Sequence, residues 1–316
     1  MKSMERKSRG KVMTWVVVVL AMVVLAFCGY KVISQLLDYK NSDETYEKIR
    51  SEAVVENSGD MLEDAEEPVD TKDLIGIDWD KFKDSNMVAW VQLDDISYPV
   101  YHDSGDLFYL RHLPDGTYAT AGSIFLYGEN SAKFTDQSSF IYGHNMTNGS
   151  MFGKLKNYVD DKYKDHRFYV YLPDGTRHVY QFFAVATVGE DSQAYTWSFA
   201  NDESFKNWQL WMKEMSSVNC TAPVDTSKKY VTLSTCNGGG GTNKRLVVCG
   251  QEIGVDKVQS PASWYSEYAA SLSESRDKML EVGEDRRAVL GDLKEAARKE
   301  LYEKRRTIPG EDKKKD

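Results

Sequence analysis

The chain has 316 residues, 41% of them hydrophobic, which is enough apolar content to build a folded core. It carries 40 Lys and Arg residues against 49 Asp and Glu residues, so the formal net charge is −9. Neutralising a phosphate backbone needs a basic face, and the acidic average therefore argues against a nucleic-acid partner.

An uncharged apolar segment runs from Val12 to Tyr30 near the N-terminus. In a helix it spans about 28 Å, close to the bilayer hydrocarbon thickness of about 30 Å. The positive-inside rule keeps the basic residues ahead of it, 1–11, in the cytoplasm and sends the rest of the chain outside. The sequence thus predicts a single-pass anchor in the cell membrane over 12–30.

Two other interpretations of this segment are weaker. A cleaved signal peptide normally ends in an A-x-A-like site, which Phe27-Cys28-Gly29-Tyr30 does not supply. A lipoprotein signal would need a small residue before the cysteine, where this chain has the bulky Phe27. A retained anchor is the preferred interpretation.

Four cysteines are present, with Cys28 in the apolar segment and Cys220, Cys236 and Cys249 in the exported part. Because three is an odd number, at least one exported thiol stays unpaired. A disulfide between Cys220 and Cys249 is chemically allowed outside the cell, although the sequence does not show whether the two side chains meet. That pairing would leave Cys236 free.

Composition divides the remainder into three regions. We expect a stalk or linker over 31–72, because 36–70 is rich in acids and poor in large apolar residues after Tyr46; a plain solvated linker is the preferred form. A catalytic domain is expected over 73–253. A helical C-terminal extension follows over 254–316, ended by Pro309-Gly310, with too few clean heptads for a coiled coil.

The residue pattern of the middle region is typical of a mainly β fold. Short runs rich in β-branched and aromatic residues alternate with turn signals such as Pro114-Asp115-Gly116, and eight such strands suit a closed barrel. The predicted strands are Val88–Leu93, Tyr98–His102, Gly122–Leu126, Ser139–Tyr142, Phe168–Leu172, His178–Thr187, Tyr230–Thr235 and Leu246–Gly250. One amphipathic helix is predicted over Asn201 to Met215, its aromatic and Met stripe packing in the core.

Three residues at predicted strand ends carry possible chemistry. Cys236 follows the β-branched run Thr232-Leu233-Ser234-Thr235, and a thiol with a pKa of about 8.5 needs a nearby base or positive charge to act as a nucleophile. His144, after a strand and a glycine, can titrate near neutral pH. Arg245 opens the strand after the loop that follows Cys236, so the two could share one end of a hairpin and offer guanidinium donors to an oxyanion. Taken singly, each of the three is more often structural than functional.

The combination of these segments resembles the sortase family. Thr232-Leu233-Ser234-Thr235-Cys236 precedes Arg245 by nine positions and follows the Tyr142-Gly143-His144-Asn145-Met146 segment. The helix before the cysteine strand is similar to that of class B. Further similar stretches are Asn86–Val91, Ile96–Val100 and Gly122–Leu126, so the resemblance covers about 73–253.

The resemblance implies an eight-stranded sortase-type barrel in which Cys236, His144 and Arg245 meet. By analogy, Cys236 attacks the carbonyl of a threonine in a C-terminal sorting motif, giving a thioacyl-enzyme that an amine resolves, while His144 moves protons and Arg245 stabilises the oxyanion. The implied partners are secreted proteins with an NPxTN-like or variant motif and a peptidoglycan precursor or cross-bridge amine. No cofactor is implied, and the five histidines lack zinc-type spacing.

The family also suggests substrate-binding positions. Asn130, Ser234 and Tyr195 fall where class B enzymes place peptide-binding groups. The chain departs from the family in the segment Leu126-Tyr127-Gly128-Glu129-Asn130, where a D-x-R-N pattern is common.

Several alternatives stay open at this stage. Papain-like enzymes place Cys before His, and L,D-transpeptidases place glycine directly before the cysteine, so order and spacing disfavour both. A pilin-polymerising sortase, with a pilin lysine as the amine, and a catalytically inactive sortase-like surface scaffold remain compatible with the sequence.

Overall fold

The structure, a computed structural model, describes residues 2–55, 74–83, 85–102, 107–237 and 242–266, with residues 2–14 described by their backbone. The chain divides into two compact units, Met1–Ser263 and Trp264–Asp316. Nearly all of the second unit, including the predicted C-terminal helix, lies outside the described residues.

A long N-terminal helix, α1, spans Lys2–Ala53. Its part Trp15–Ala53 contains a window of mean hydropathy 2.6 whose residues are all exposed. By length and composition, this is the one helix among the described residues that could cross a membrane. The helix continues well past the predicted end of the anchor at Tyr30, since neither a proline nor a cap interrupts it before Ala53.

The last turns of α1 pack on the rest of the first unit. Ser42, Tyr46 and Ala53 are buried. Their spacing places them on one helical face, with acids and lysines on the other. The solvated-linker interpretation is therefore wrong for residues 42–53. The acidic composition of the segment as a whole did not reveal the few residues that are buried on one face. Beyond α1, the short strand β1 (Val54–Val55) pairs with β2 (Gly76–Ile77).

Eight strands among the described residues close into a barrel. They are β3 (Met87–Leu93), β4 (Ile96–His102), β5 (Phe125–Leu126), β6 (Ser138–Tyr142), β7 (Arg167–Tyr171), β8 (Thr176–Gly189), β9 (Tyr230–Cys236) and β10 (Lys244–Lys257). Around the barrel their order is β10-β8-β7-β3-β4-β5-β6-β9. β4 pairs with β5 and β6 with β9 in parallel, and the other neighbours are antiparallel. Because the barrel is closed, none of these eight strands is an open edge.

Each predicted strand overlaps one barrel strand, so the predicted mainly β barrel is confirmed. The largest differences in bounds are in β8 and β10, which are both 14 residues long and pair with each other along their whole length. β10 therefore continues past the expected domain end at 253. Short 3-10 helices occur at Trp79–Phe82, Phe108–Leu110, Leu155–Tyr158, Asp161–Tyr163 and Gln193–Tyr195.

The helix α2 (Asp202–Met215) covers one face of the β8–β10–β9 sheet. Asn201 caps it by accepting a hydrogen bond from the Ser204 N–H at 2.9 Å. Its buried stripe packs in the core, as the sequence predicts, against residues of β9 and β10, although Met215 at the end of the predicted stripe is exposed. The cluster includes Phe205, Trp208 and Met212 from the helix and Tyr230, Val247 and Cys249 from the strands.

Candidate active site

Cys236 and Arg245 lie directly opposite each other on neighbouring strands. Cys236 is the last residue of β9 and is the register partner of Arg245 near the start of β10. Next to this pair, the Asn237 N–H donates to the Lys244 carbonyl at 3.0 Å. Since side chains alternate along a strand, Cys236, Ser234 and Thr232 share the face that α2 covers further along. The expected hairpin with both residues at one end is confirmed.

His144 reaches the same end of the barrel from the parallel strand β6. Tyr142 is the register partner of Ser234, and the Gly143 N–H donates to the Ser234 carbonyl at 3.1 Å. On the other side of His144, the Asn145 Nδ2 donates to the Cys236 carbonyl at 2.9 Å. Both chain neighbours of His144 are thus hydrogen-bonded to the cysteine strand.

A backbone carbonyl holds the imidazole of His144. Its Nε2 lies 2.7 Å from the Leu110 carbonyl oxygen. Because a carbonyl can only accept a hydrogen bond, Nε2 carries a proton and Nδ1 of the neutral ring carries the lone pair. Burial lowers the pKa of His144, with Arg111 and Arg245 lowering it further and the Leu110 carbonyl opposing them. At neutral pH this histidine can accept a proton.

The Arg245 guanidinium is held by groups that leave it partly accessible. Its Nη1 donates to the carbonyls of Thr242 at 2.9 Å and Lys244 at 3.1 Å, and its Nη2 pairs with the carboxylate of Glu190. Its side chain is 23% exposed and that of Glu190 is 51% exposed. An ion pair this open to water is weak, so a substrate carbonyl can compete for the guanidinium.

Two of the three predicted substrate-binding residues lie beside this set. The Tyr195 hydroxyl and the Ser234 Oγ are 2.8 Å apart. The Tyr195 ring stacks on Tyr142 with centroids 6.0 Å apart. Burial raises the pKa of Tyr195, so its hydroxyl stays protonated and can donate. The partly exposed rings of Tyr142 and Tyr195 form an aromatic surface near Cys236, and the buried Ser234 holds the Tyr195 hydroxyl.

The third, Asn130, does not join this surface. It is buried, its Nδ2 donates to the Ser138 carbonyl at 3.0 Å, and its Oδ1 accepts from the Phe140 N–H at 2.9 Å. A further contact joins its Nδ2 to the Asp136 carboxylate at 3.2 Å. The Asn130 amide is therefore hydrogen-bonded to backbone groups of the chain itself. These bonds stabilise the β5–β6 connection, where the sequence departs from the family pattern.

The four cysteines are free thiols in different surroundings. Cys249 is fully buried, and burial raises its pKa to about 12. Burial also raises the pKa of the partly buried Cys220. Neither thiol is suited to act as a thiolate, and the allowed disulfide between them is not formed. Cys236 is partly exposed at the end of its strand, opposite Arg245 and next to the amide of Asn145.

Several groups of the site were not found from the sequence. Asn145 and Tyr142 belong to the segment that contains His144, so their proximity to that residue was the available signal. Glu190, in the turn after β8, and the carbonyl of Leu110 gave no signal, because a backbone acceptor has no residue type. Within the described ranges, no group of three or more His, Cys, Asp or Glu side chains is placed to hold a metal ion.

Fold and site together define a closed β-barrel protein with a cysteine, a histidine and an arginine gathered at one end. A family model described as a sortase domain matches residues 92–253. The chain belongs to the sortase family. It is therefore a cysteine transpeptidase by family, and its barrel is of the sortase type.

Two named relatives are class B enzymes. Sortase B of Listeria monocytogenes is 29% identical over 252 residues, covering 77% of this chain and 96% of the relative. Sortase B of Staphylococcus aureus is 26% identical over 245 residues, covering 76% and 96%. A crystal structure of Staphylococcus aureus sortase B matches with a TM-score of 0.50 and 25% identity, covering 55% of this chain and 83% of that one. A structure of sortase B complexed with triglycine matches with the same TM-score and identity, covering 57% and 84%.

Proposed function

We propose that this chain is a membrane-anchored class B sortase that cleaves a C-terminal sorting motif after threonine and transfers the protein to a cell-wall peptidoglycan amine. One observation carries the proposal. The strand pairings bring Cys236 opposite Arg245, and Asn145, the residue after His144, hydrogen-bonds to the Cys236 carbonyl.

In the acylation half-reaction, His144 takes the proton of Cys236 on Nδ1, and the thiolate attacks the threonine carbonyl carbon. Arg245 exchanges its exposed contact with Glu190 for the developing oxyanion. The carbon–nitrogen bond then breaks, and the leaving amine takes the proton from His144. The product is a thioester between Cys236 and the threonine, in which the substrate's own C-terminal end has been released.

In the second half-reaction, an incoming amine attacks the thioester carbon and gives its proton to His144. The thiolate leaves and regains the proton, which restores the starting enzyme. The relative that was solved complexed with triglycine supports an oligoglycine-type amine as acceptor. Water in place of the amine would give the hydrolysis product.

Ser234 and Tyr195 are proposed to bind the sorting peptide, which we expect to be NPxTN-like or a variant. Their hydroxyls lie together on the strand face of Cys236, and the Tyr142–Tyr195 stack offers a flat surface to side chains of the peptide. Asn130 is instead proposed to support the β5–β6 connection through its buried amide.

The apolar part of α1 is proposed to span the cell membrane once. The positive residues ahead of it support an orientation with the N-terminus in the cytoplasm and the barrel outside. This orientation places the site on the side where secreted proteins and peptidoglycan meet.

The test is a ligation assay with purified full-length protein, a panel of sorting-motif peptides and a panel of amines. The amines are triglycine and a peptide that offers only a lysine side chain, so that wall anchoring and pilin polymerisation are distinguished. Wild type should form the triglycine product, Cys236→Ala should form none, and the matched thiol variant Cys220→Ala should keep wild-type rates. Equal product from wild type and Cys236→Ala would contradict the mechanism.

A further inference from the structure

We propose that the docked segment of α1, Asp38–Arg50, positions His144 by holding the two loops on which its imidazole depends. This inference rests on the proposed function, in which His144 moves the protons. The docked segment does not touch the reacting atoms, so four of its residues that contact the loops or the barrel, Asp38, Asp43, Tyr46 and Arg50, are positioning residues.

The first contact acts through the carbonyl that holds the imidazole. The Tyr46 hydroxyl donates to the Gly122 carbonyl at 2.8 Å, close to the Ser123 Oγ at 3.1 Å. Gly122 is pressed against the backbone of Tyr109 and Leu110: a Cβ at Gly122 would lie 2.6 Å from the Tyr109 oxygen, and its φ of +52° also favours glycine. Leu110 in turn accepts from His144 Nε2 at 2.7 Å. One tightly packed glycine separates Tyr46 from the carbonyl that fixes the ring.

The same loop, 107–123, has further contacts with α1 and within itself. The Thr120 N–H donates to Asp38 Oδ2 at 3.1 Å. Ser123 bonds back through its N–H to the Tyr109 carbonyl and through its Oγ to the His112 carbonyl, both at 2.8 Å. These hydrogen bonds hold the parts of the loop together, so the contacts of the loop with α1 also position the Leu110 carbonyl.

The second contact acts on the loop that follows His144, 146–151. The Phe152 N–H donates to the His144 carbonyl at 3.0 Å, and Asn145 forms a bridge with Met151. The Met151 N–H donates to the Tyr98 hydroxyl at 3.0 Å. The Tyr98 ring lies edge-on to Tyr46, with centroids 5.4 Å apart.

This second loop also meets α1 directly, since the Asn148 Nδ2 donates to Asp43 Oδ2 at 3.0 Å. Arg50 fixes the helix to the barrel itself, through donation from Nη2 to the Ser97 carbonyl at 2.9 Å and by lying over the Tyr98 ring. Tyr46 and Tyr98 thus form the junction at which both loops and the helix are joined.

The continuity of α1 gives this junction a consequence for the membrane. No break separates the apolar part of the helix from the docked segment, so the element proposed to cross the membrane also supports the proposed base. An activity measured without α1 would come from a less ordered site.

The sign of the expected change follows from the charges around His144. Burial is the main cause that lowers its pKa, the Leu110 carbonyl opposes it, and Arg111 from the 107–123 loop and Arg245 from β10 lower the pKa further, while Cys236 lies on the neighbouring strand. Loosening the contact with Leu110 while the ring stays buried removes the partner that favours protonation, and the pKa of His144 should then fall below its value in the wild type.

The experiment compares Tyr46→Phe with Tyr39→Phe in the full-length protein in detergent micelles. Tyr39 is on the same helix, and within the described part of the chain its hydroxyl accepts one hydrogen bond, from the exposed Gln35 amide. For Tyr46→Phe we expect kcat to fall about three- to tenfold, the size of one lost hydrogen bond, with KM unchanged. The acid limb of its pH profile should move to lower pH, while Tyr39→Phe should match wild type.

NMR titration of the His144 imidazole, with its signals assigned by their loss in His144→Gln, measures the pKa of His144 directly and does not depend on catalysis. Thermal unfolding checks that the Tyr46→Phe variant is folded. A folded Tyr46→Phe protein with wild-type kcat and an unchanged His144 titration would overturn the inference. A wild-type protein that ligates no peptide, with a His144 titration still sensitive to Tyr46→Phe, would instead contradict the proposed function and keep the positioning contact.

Discussion

The two ends of the long β8–β10 pair both carry an arginine close to a histidine, but these side chains have different partners. At the β7–β8 turn, Arg177 is fully buried and donates to Asp256 Oδ2 from Nε at 3.0 Å and Nη2 at 2.6 Å. Beside it, His178 Nδ1 is 2.6 Å from Glu252 Oε1. At the other end, His144 meets a neutral carbonyl, and Arg245 meets an exposed carboxylate.

The difference separates a structural arginine and histidine from a reactive pair. At the turn end, a partly buried carboxylate holds each of the two side chains in place, and removing one partner would leave the other without that hydrogen bond. At the site end, the carbonyl orients the imidazole without neutralising it, and burial, reinforced by Arg111 and Arg245, lowers the pKa of His144. We expect substitutions at the turn end to change stability and those at the site end to change the rate.

The largest contrast is expected between His144→Gln and His178→Gln. Loss of proton transfer should lower kcat of His144→Gln by about 10²- to 10⁴-fold with little change in folding. His178→Gln should keep wild-type ligation while its melting temperature falls. Ligation rates and thermal unfolding of both variants test this, and near-normal ligation by His144→Gln would remove the histidine from the mechanism.

Next in size is the contrast between Arg245→Lys and Arg177→Lys. An ammonium keeps the charge but not the fixed fork of donors, so Arg245→Lys should lose about 10²- to 10³-fold in kcat. Arg177→Lys should lower the free energy of unfolding by about 1–3 kcal/mol through the lost pairing with Asp256, measured by denaturant titration. Wild-type turnover in Arg245→Lys would mean that the arginine is structural.

A smaller effect is expected for Tyr195→Phe, which removes the hydroxyl that contacts Ser234 Oγ. If the pair binds the peptide, KM should rise about three- to tenfold while kcat changes little. The control is Tyr171→Phe, which removes a hydroxyl bonded to Gln92 at 2.8 Å near the turn end. Equal KM values in all three proteins would argue against peptide binding by Tyr195.

The smallest effect concerns stability against pH. The pKa of His144 is lowered in the folded state, so below about pH 6.5 the unfolded chain takes up a proton that the folded chain resists. The free energy of unfolding should therefore fall as the pH drops through that value, and His144→Gln should show a shallower fall. Denaturant titrations between neutral and mildly acidic pH measure both slopes, and identical slopes would mean that the histidine is not destabilised when charged.

Local patterns were enough to predict the barrel strands and the hairpin between Cys236 and Arg245. Each strand has its own β-branched run, and the hairpin between Cys236 and Arg245 follows from a short loop, which keeps the two strand ends together. Proximity of His144 required the parallel pairing of β6 with β9, which is distant in sequence; only the family resemblance predicted it.

What the sequence did not show depends on contacts between distant segments. Ser42, Tyr46 and Ala53 give a narrow buried stripe in an acidic part of the helix, so composition alone indicated a solvated linker. Asn130 has the polarity of a ligand-binding residue, yet its amide is satisfied by Ser138 and Phe140. Leu110 acts through its carbonyl, which no side-chain pattern can reveal.

Cys236, supported by His144 and Arg245, is proposed to form the covalent intermediate. The direct measurement is intact-protein and peptide-level mass spectrometry of the full-length enzyme mixed with a sorting-motif peptide in the absence of an amine. We expect one thioacyl adduct, on the peptide that contains Cys236, and its release when triglycine is added. An adduct on Cys220 or Cys249, or the same adduct mass in Cys236→Ala, would contradict it.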